Sequence, residues 1–253
     1  MPDLILPELS ALLLVAVAFT VSGVVKGVVG LGLPTISAAI MASVIDLPTA
    51  VAILIIPLIV TNVWQVVQVG AVRTLLLRFG MLNAAAAVGL WVGTEILFGV
   101  DPTTVQIGLG MLLIANAVMQ FSYFAPRVTP TMEKRWAAPV GLVSGVIGGA
   151  TGSQGIVIAV WLSALNLSKD EYVQGVGLSF FLTGLVWFAA IAWNGGITGE
   201  TLPLSAVGLV VALVAMALGT RLRGLLPDAR FRQGVFLAMA LMGLNLIRRA
   251  IFN

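Results

Sequence analysis

The stretch VSGVVKGVVGLGLPT, Val21 to Thr35, places four glycines, a proline and a lysine inside a run that is otherwise hydrocarbon. A second stretch, VSGVIGGATGSQGIV, begins at Val143. Aligning Val21–Gly30 with Val143–Gly152 gives six identities in ten positions. Each stretch is followed by an apolar piece, Leu33–Ile45 or Ile156–Leu167, that falls short of the roughly 20 residues a bilayer span requires. Each therefore reads as a break in the chain followed by a half-length helix, starting near Leu33 or Gln154. Glycine permits such a turn. Pro34 suits the first turn of a helix, where its missing N–H would be unpaired anyway.

The rest of the chain fixes the setting. Of 253 residues, 60% are hydrophobic and 9% charged, against about 25% charged in soluble domains. The apolar runs are long and continuous rather than alternating, so they are helices and not barrel strands. The fold class is all-α, a polytopic membrane protein. Apolar segments run Leu9–Val29, Leu33–Ile45, Ala50–Val69, Phe79–Phe98 and Thr103–Phe124, then Ala137–Gly149, Ile156–Leu167, Val173–Trp193, Leu202–Gly219 and Gly234–Ile247. Thr61 and Thr183 keep the same offset as the glycine stretches, and Gly93-Thr94 matches Gly219-Thr220 after a small shift. The chain divides into a first repeat over residues 1–125, a connector over 126–136 and a second repeat over 137–253. The opening residues MPDLILPELS lack a basic n-region, so the first apolar run is expected to stay.

Charge sets the orientation. If each broken pair enters and returns on one side, Arg73, Arg78, Arg127, Lys134, Arg135, Lys169, Arg221, Arg223, Arg230 and Arg232 share a side, while Asp3, Glu8, Asp46, Glu95, Asp101 and Glu200 share the other. Only Arg248 and Arg249 disagree. The positive-inside rule makes the basic side, with the connector, cytoplasmic. A broken glycine-rich pair plus three spans gives each repeat an odd number of crossings, so the two repeats are expected to be inverted. Inverted repeats with broken helices are a transporter architecture.

Non-helical backbone at membrane depth is tolerated where protein buries it or where it lines a wet cavity. A helix N-terminus there offers free N–H groups and a positive dipole end to a small anion. Lys26 is the one unambiguous charge well inside an apolar segment, the kind of residue that marks a substrate pathway. Thr151, Ser153 and Gln154 in the second break are candidate donors. Asn62, Gln65 and Gln68 share a broad face of one helix. The expected substrate-binding set is Lys26, Gly27, Gly30, Gly32, Asn62, Gln65, Gly149, Thr151, Gly152, Ser153 and Gln154, with the two short helices aimed at a common point. Two alternatives stand beside it. Gly23 with Gly27, and Gly145 with Gly149, form GxxxG pairs that mark close helix packing. Lys26 could also snorkel to an interface.

Composition narrows the function classes. There is no cysteine and no histidine, which removes thiolate sites, the commonest metal ligand and the usual proton relay. No cofactor is expected. Acidic residues do not cluster at depth, which argues against a membrane enzyme. The net charge of +3 lies in connectors and does not point to nucleic acid. No G-x-x-x-x-G-K-[ST] loop is present for direct ATP drive. The expected partners are a small anion, the bilayer and, as an assembly, a homodimer. A passive anion channel, or an uptake permease for another small organic anion, is the alternative to a secondary transporter that exports its substrate.

The segments SGVVKGVVGLGLP and SGVIGGATGSQGIVIAVWLSALNLSKDEY resemble the two repeats of the TauE/SafE family of sulfite exporters, also called the toluene sulfonate uptake permease family. The likeness extends over nearly the whole chain. It implies movement of sulfite or an organosulfonate such as sulfoacetate across the bacterial inner membrane, with export as the direction. This sequence reads Gly30-Leu31-Gly32-Leu33 where the family often has consecutive glycines, and it carries Lys26 where many members have a small or apolar residue.

Overall fold

The computed structural model describes residues 8–67, 72–121, 128–165, 167–222 and 228–252. Gln68 lies outside them. Ten helices follow one another: α1 (Glu8–Val29), α2 (Leu33–Ala42), α3 (Leu47–Val67), α4 (Val72–Gly99), α5 (Pro102–Phe121), α6 (Pro130–Thr151), α7 (Gly155–Ser163), α8 (Lys169–Trp193), α9 (Thr201–Leu222) and α10 (Asp228–Phe252). Among the described residues there is no strand. Six helices, α1, α3, α4, α5, α8 and α9, are long and apolar enough to cross a membrane.

Both breaks form as the glycines require. Gly30 closes α1, donating its N–H to the Lys26 carbonyl at 2.7 Å with φ of 88°. Gly152 closes α6 in the same way, on Gly148 at 2.8 Å with φ of 75°. A left-handed residue after the last turn is the common helix stop, and it favours glycine. α2 starts from a second left-handed glycine, Gly32 at φ 102°, with Pro34 in its first turn. α7 starts from Gln154 in ordinary helical geometry.

Several helices begin earlier than the hydropathy pattern predicts, α4 and α6 by the most. α4 starts at Val72 rather than Phe79, and α6 at Pro130 rather than Ala137. The Thr129 side chain accepts from the Met132 N–H, and Pro130 and Glu133 occupy the first turn of α6, which is favourable start chemistry. Arg78 and Glu133 join these two polar extensions through bonds of 2.7 and 2.9 Å. Ser168 and Glu171 form a capping box at the start of α8.

The packing crosses between the halves. α1 lies against α9 and α4 against α6, while α3 pairs with α8 and α5 with α10. The pairs form where glycine removes the side chain. A Cβ on Gly27 would overlap the Met216 carbonyl oxygen, the Gly219 Cα and the Thr220 N–H group. On α6, Gly141, Gly145 and Gly149 abut the backbone of α4 at Leu82, Ala86 and Leu90, and Gly89 and Gly93 of α4 return the contact. The repeated Gly-Thr pairs are thus sockets. Gly93-Thr94 receives Gly149, and Gly219-Thr220 receives Gly27. Contact order along these helices gives their directions. α1 runs parallel to α9, and α4 to α6. α3 runs antiparallel to α8, since Gln65 meets Gly177 while Ile59 meets Gly184. α5 runs antiparallel to α10, with Gly110 on Gly243 and Asn116 on Met239. α2 is almost wholly buried, so the short helix sits inside the bundle rather than on it.

Candidate functional site

Polar groups collect where α3 and α8 cross, each half contributing a threonine from an equivalent position. Lys26 reaches α3 from α1. Its ammonium donates to Asn62 Oδ1 at 2.7 Å and to Thr61 Oγ1 at 3.0 Å. Both acceptors are themselves anchored: the Thr61 hydroxyl donates to the Pro57 carbonyl at 2.7 Å, and Asn62 Nδ2 to the Leu58 carbonyl at 2.8 Å. On the other side, Gln154 and Thr183 bond each other at 2.8 and 3.2 Å, with the Thr183 hydroxyl held near the Ser179 carbonyl at 2.7 Å.

Lys26 is 2% exposed. It does not snorkel. An ammonium has three donors; Thr61 and Asn62 take two, and no carboxylate pairs with it among the described residues. Burying a charge without a counter-charge is costly. Thr61 and Asn62 soften that cost without supplying a counter-charge.

The first break is loosely packed at one position. Gly30 is buried, yet a Cβ built on it would meet nothing within 4 Å. Gln65 holds this turn open by donating Nε2 to the Gly30 carbonyl at 3.0 Å, while its Oε1 is buried without a partner. α2 and α7 both begin without a side-chain cap; at α7 the Ile156 N–H is taken by the Ser153 carbonyl at 3.2 Å.

The second break has other surroundings. Gly152 packs near Ala38, Trp187 and Leu54, with its Cβ position 3.4, 3.6 and 3.9 Å from them. Thr151 Oγ1 donates to the Ile147 carbonyl at 2.6 Å and accepts from the Ser153 N–H at 3.3 Å. Ser153 Oγ and Trp187 Nε1 are buried with no partner.

Of the residues expected to bind substrate, the structure joins Lys26 to Asn62 and Gln65 to Gly30, and bonds Gln154 separately to Thr183. Gly27 and Gly149 lie elsewhere, as contact glycines in the sockets of α9 and α4. Gly32 turns its hydrogen toward Ile36 and Val25. The two breaks also do not share one point. Gly30 meets α3 at Gln65 and Gly152 meets it at Leu54; between those residues the helix rises about 16 Å. They straddle the crossing from opposite ends because the helices that carry the breaks approach α3 and α8 in opposite directions. Thr61, Thr183 and Trp187 were not in the expected set. The threonines were visible as repeat markers. Trp187 resembled the other tryptophans, but Trp64 and Trp193 are 58% and 78% exposed whereas Trp187 is 2%. No group of three or more metal-ligating side chains occurs among the described residues.

The model of the family described as Sulfite exporter TauE/SafE matches residues 14–246. No curated protein and no solved structure matches the chain.

Proposed function

Because the chain belongs to the sulfite exporter TauE/SafE family, a family of membrane transporters, we propose that it is a secondary transporter that exports sulfite or an organosulfonate across the bacterial inner membrane. The observation that carries this reading is Lys26: a buried ammonium with no carboxylate partner among the described residues, held by Thr61 and Asn62 one turn before the helix break at Gly30. A small oxyanion supplies the missing charge and has several acceptor oxygens. It would accept from the third ammonium donor and from free N–H groups at the start of α2.

Supporting the transport reading is the arrangement of the halves, which we take as inverted repeats. Equivalent helices α3 and α8 are antiparallel, as are α5 and α10. The contact of α1 with α9 has its counterpart in that of α6 with α4. A two-fold axis in the membrane plane would generate this pattern, and it would pass near Thr61 and Thr183. Transporters of this architecture alternate access by moving one unit against another around a central site. A negative interior expels an anion at about 2.3 kcal/mol per charge per 100 mV, so the membrane potential can drive export without a dedicated proton relay.

Purified protein in liposomes tests the proposal, with flux and thermal-shift binding measured for sulfite, sulfate, thiosulfate, sulfoacetate, taurine and small carboxylates. The expected result is saturable flux of sulfite or a sulfonate that responds to an imposed potential. Flux of carboxylates alone, or no binding of any sulfur oxyanion, would overturn it. Conductance without saturation or coupling would make the protein a channel.

A further inference from the structure

The polar side chains that α3 brings to Lys26 and the first break offer oxygen only. The Thr61 hydroxyl spends its hydrogen on the Pro57 carbonyl, and Asn62 Nδ2 donates to the Leu58 carbonyl. Each then turns an oxygen to the Lys26 ammonium, at 3.0 and 2.7 Å. Gln65 follows the same rule. Its Nε2 donates to the Gly30 carbonyl at 3.0 Å, and its Oε1 is buried without a partner. That orientation is fixed, because only the Nε2 end of the amide can donate to a carbonyl. Thr61, Asn62 and Gln65 therefore have no hydrogen committed to a ligand.

Charge is equally one-sided. Lys26 is the only buried charged side chain among the described residues. α2 and α3 carry no titratable residue, and α1 and α9 add only Glu8 and Arg221, both exposed. On α8 the titratable groups of the first turn, Lys169 to Tyr172, stand more than a turn from Gly177, where α8 meets Gln65. Helix ends do not change the count. α1 ends at Val29 and α2 starts at Leu33, so a negative and a positive dipole end meet at one turn and largely offset each other.

Building on the transport reading, we infer that the Lys26 site takes its oxyanion in singly charged form and discriminates against dianions, so that sulfite is carried as hydrogen sulfite. One ammonium neutralises one negative charge. A second charge would be buried unpaired, which is costly. The polar atoms nearest the ammonium, Asn62 Oδ1 and Thr61 Oγ1, would repel it rather than donate to it. Protonation of the ligand removes that charge and supplies a hydrogen. Gln65, about 4.5 Å further along α3 than Asn62, carries the acceptor that lacks one. A monosulfonate such as methanesulfonate meets the charge rule at any working pH. Sulfate, thiosulfate and fully ionised sulfoacetate do not.

Binding to the wild-type protein decides, with no variant needed. Sulfite passes from the singly to the doubly charged form across neutral pH, whereas methanesulfonate and sulfate keep one charge and two. Calorimetry compares the three ligands from about pH 6 to about pH 9. Sulfate should bind more than about tenfold weaker than methanesulfonate. Apparent sulfite affinity should fall about tenfold per pH unit once the dianion predominates, while methanesulfonate affinity stays within about twofold. In two buffers of different ionisation heat, about one proton should be taken up per sulfite bound at the alkaline end, and none with methanesulfonate. A sulfate affinity within tenfold of methanesulfonate, or a sulfite affinity that does not change with pH, would overturn the inference. So would proton uptake with methanesulfonate, or a methanesulfonate affinity that follows the sulfite curve, because the titrating group would then be on the protein. Methanesulfonate failing to bind where sulfite binds would overturn it as well, since charge would not be the property selected. None of these results touches the transport reading, which fails only if the wild-type protein neither binds nor moves sulfur oxyanions.

Discussion

Replacing Lys26 by methionine separates the cost of the buried charge from its use. Methionine fills nearly the same volume and removes the ammonium. With ligand present, one charge-assisted hydrogen bond is lost, about 1.5–3 kcal/mol, which corresponds to an affinity loss of about 10- to 150-fold. Without ligand the balance differs. Asn62 Oδ1 loses its donor at 2.7 Å, a penalty of about 1–3 kcal/mol. Thr61 loses less, because its hydroxyl still donates to the Pro57 carbonyl. Against these stands the desolvation of a buried ion, several kcal/mol. The unliganded variant should therefore melt at or above the wild-type temperature while binding sulfite far more weakly. Thermal shift over a sulfite titration measures both quantities in one experiment. A sulfite affinity within twofold of wild type would refute the reasoning, because the ammonium would then be a structural cation. A much lower melting temperature without ligand would refute it too, since it would mean that Thr61 and Asn62 already satisfy the charge.

Other substitutions test the frame. Gly149→Val places atoms into the backbone of α4 at Leu90 and Thr94, where nothing can rotate away, so the variant should lose its monodisperse peak in size-exclusion chromatography. Gly30→Ala meets open space but keeps φ at 88°; it should fold with a stability loss of about 1–2 kcal/mol, and normal stability would mean the turn has another conformation. Arg78→Ala removes a largely peripheral ion pair with Glu133 and should change stability by no more than about 1 kcal/mol in a melt. Single cysteines near Lys134 and Glu200 should label from opposite faces of the membrane, and labelling from one face would defeat the inverted arrangement.

Much of this architecture is legible in the sequence because hydropathy and backbone chemistry are local. Each apolar run corresponds to a helix, and Gly30, Gly32, Pro34 and Gly152 mark the two breaks where they occur. The starts of α4 and α6 were less legible. Their first two turns carry Arg73, Arg78, Glu133, Lys134 and Arg135, which end an apolar run without ending a helix. Lys26 could be singled out as a lone charge, but its partners Thr61 and Asn62 depend on how α1 lies against α3, which no local pattern encodes. Gly27 and Gly30 show the same limit from the other side. Both belong to one glycine-rich string, yet one packs on α9 and the other borders open space. The difference is set by which face of α1 the partner helix takes.

The crossed pairing has a consequence for the order of assembly. The contact face of α1, at Gly23 and Gly27, is completed by α9, and the ribosome must add ~170 residues between the end of one helix and the start of the other. At about 5–20 residues per second, α1 waits roughly 9–35 s for its partner, and a chain stopped at Trp193 would leave that face open to lipid, quality-control proteases or a second nascent chain. The first half alone is no folding unit, because α4 is in turn completed by α6. On the inverted arrangement proposed above, a half-length chain would close both sockets by meeting another copy of itself lying the opposite way in the bilayer, and a chain of this kind, before its halves were joined, would have had to insert in both orientations.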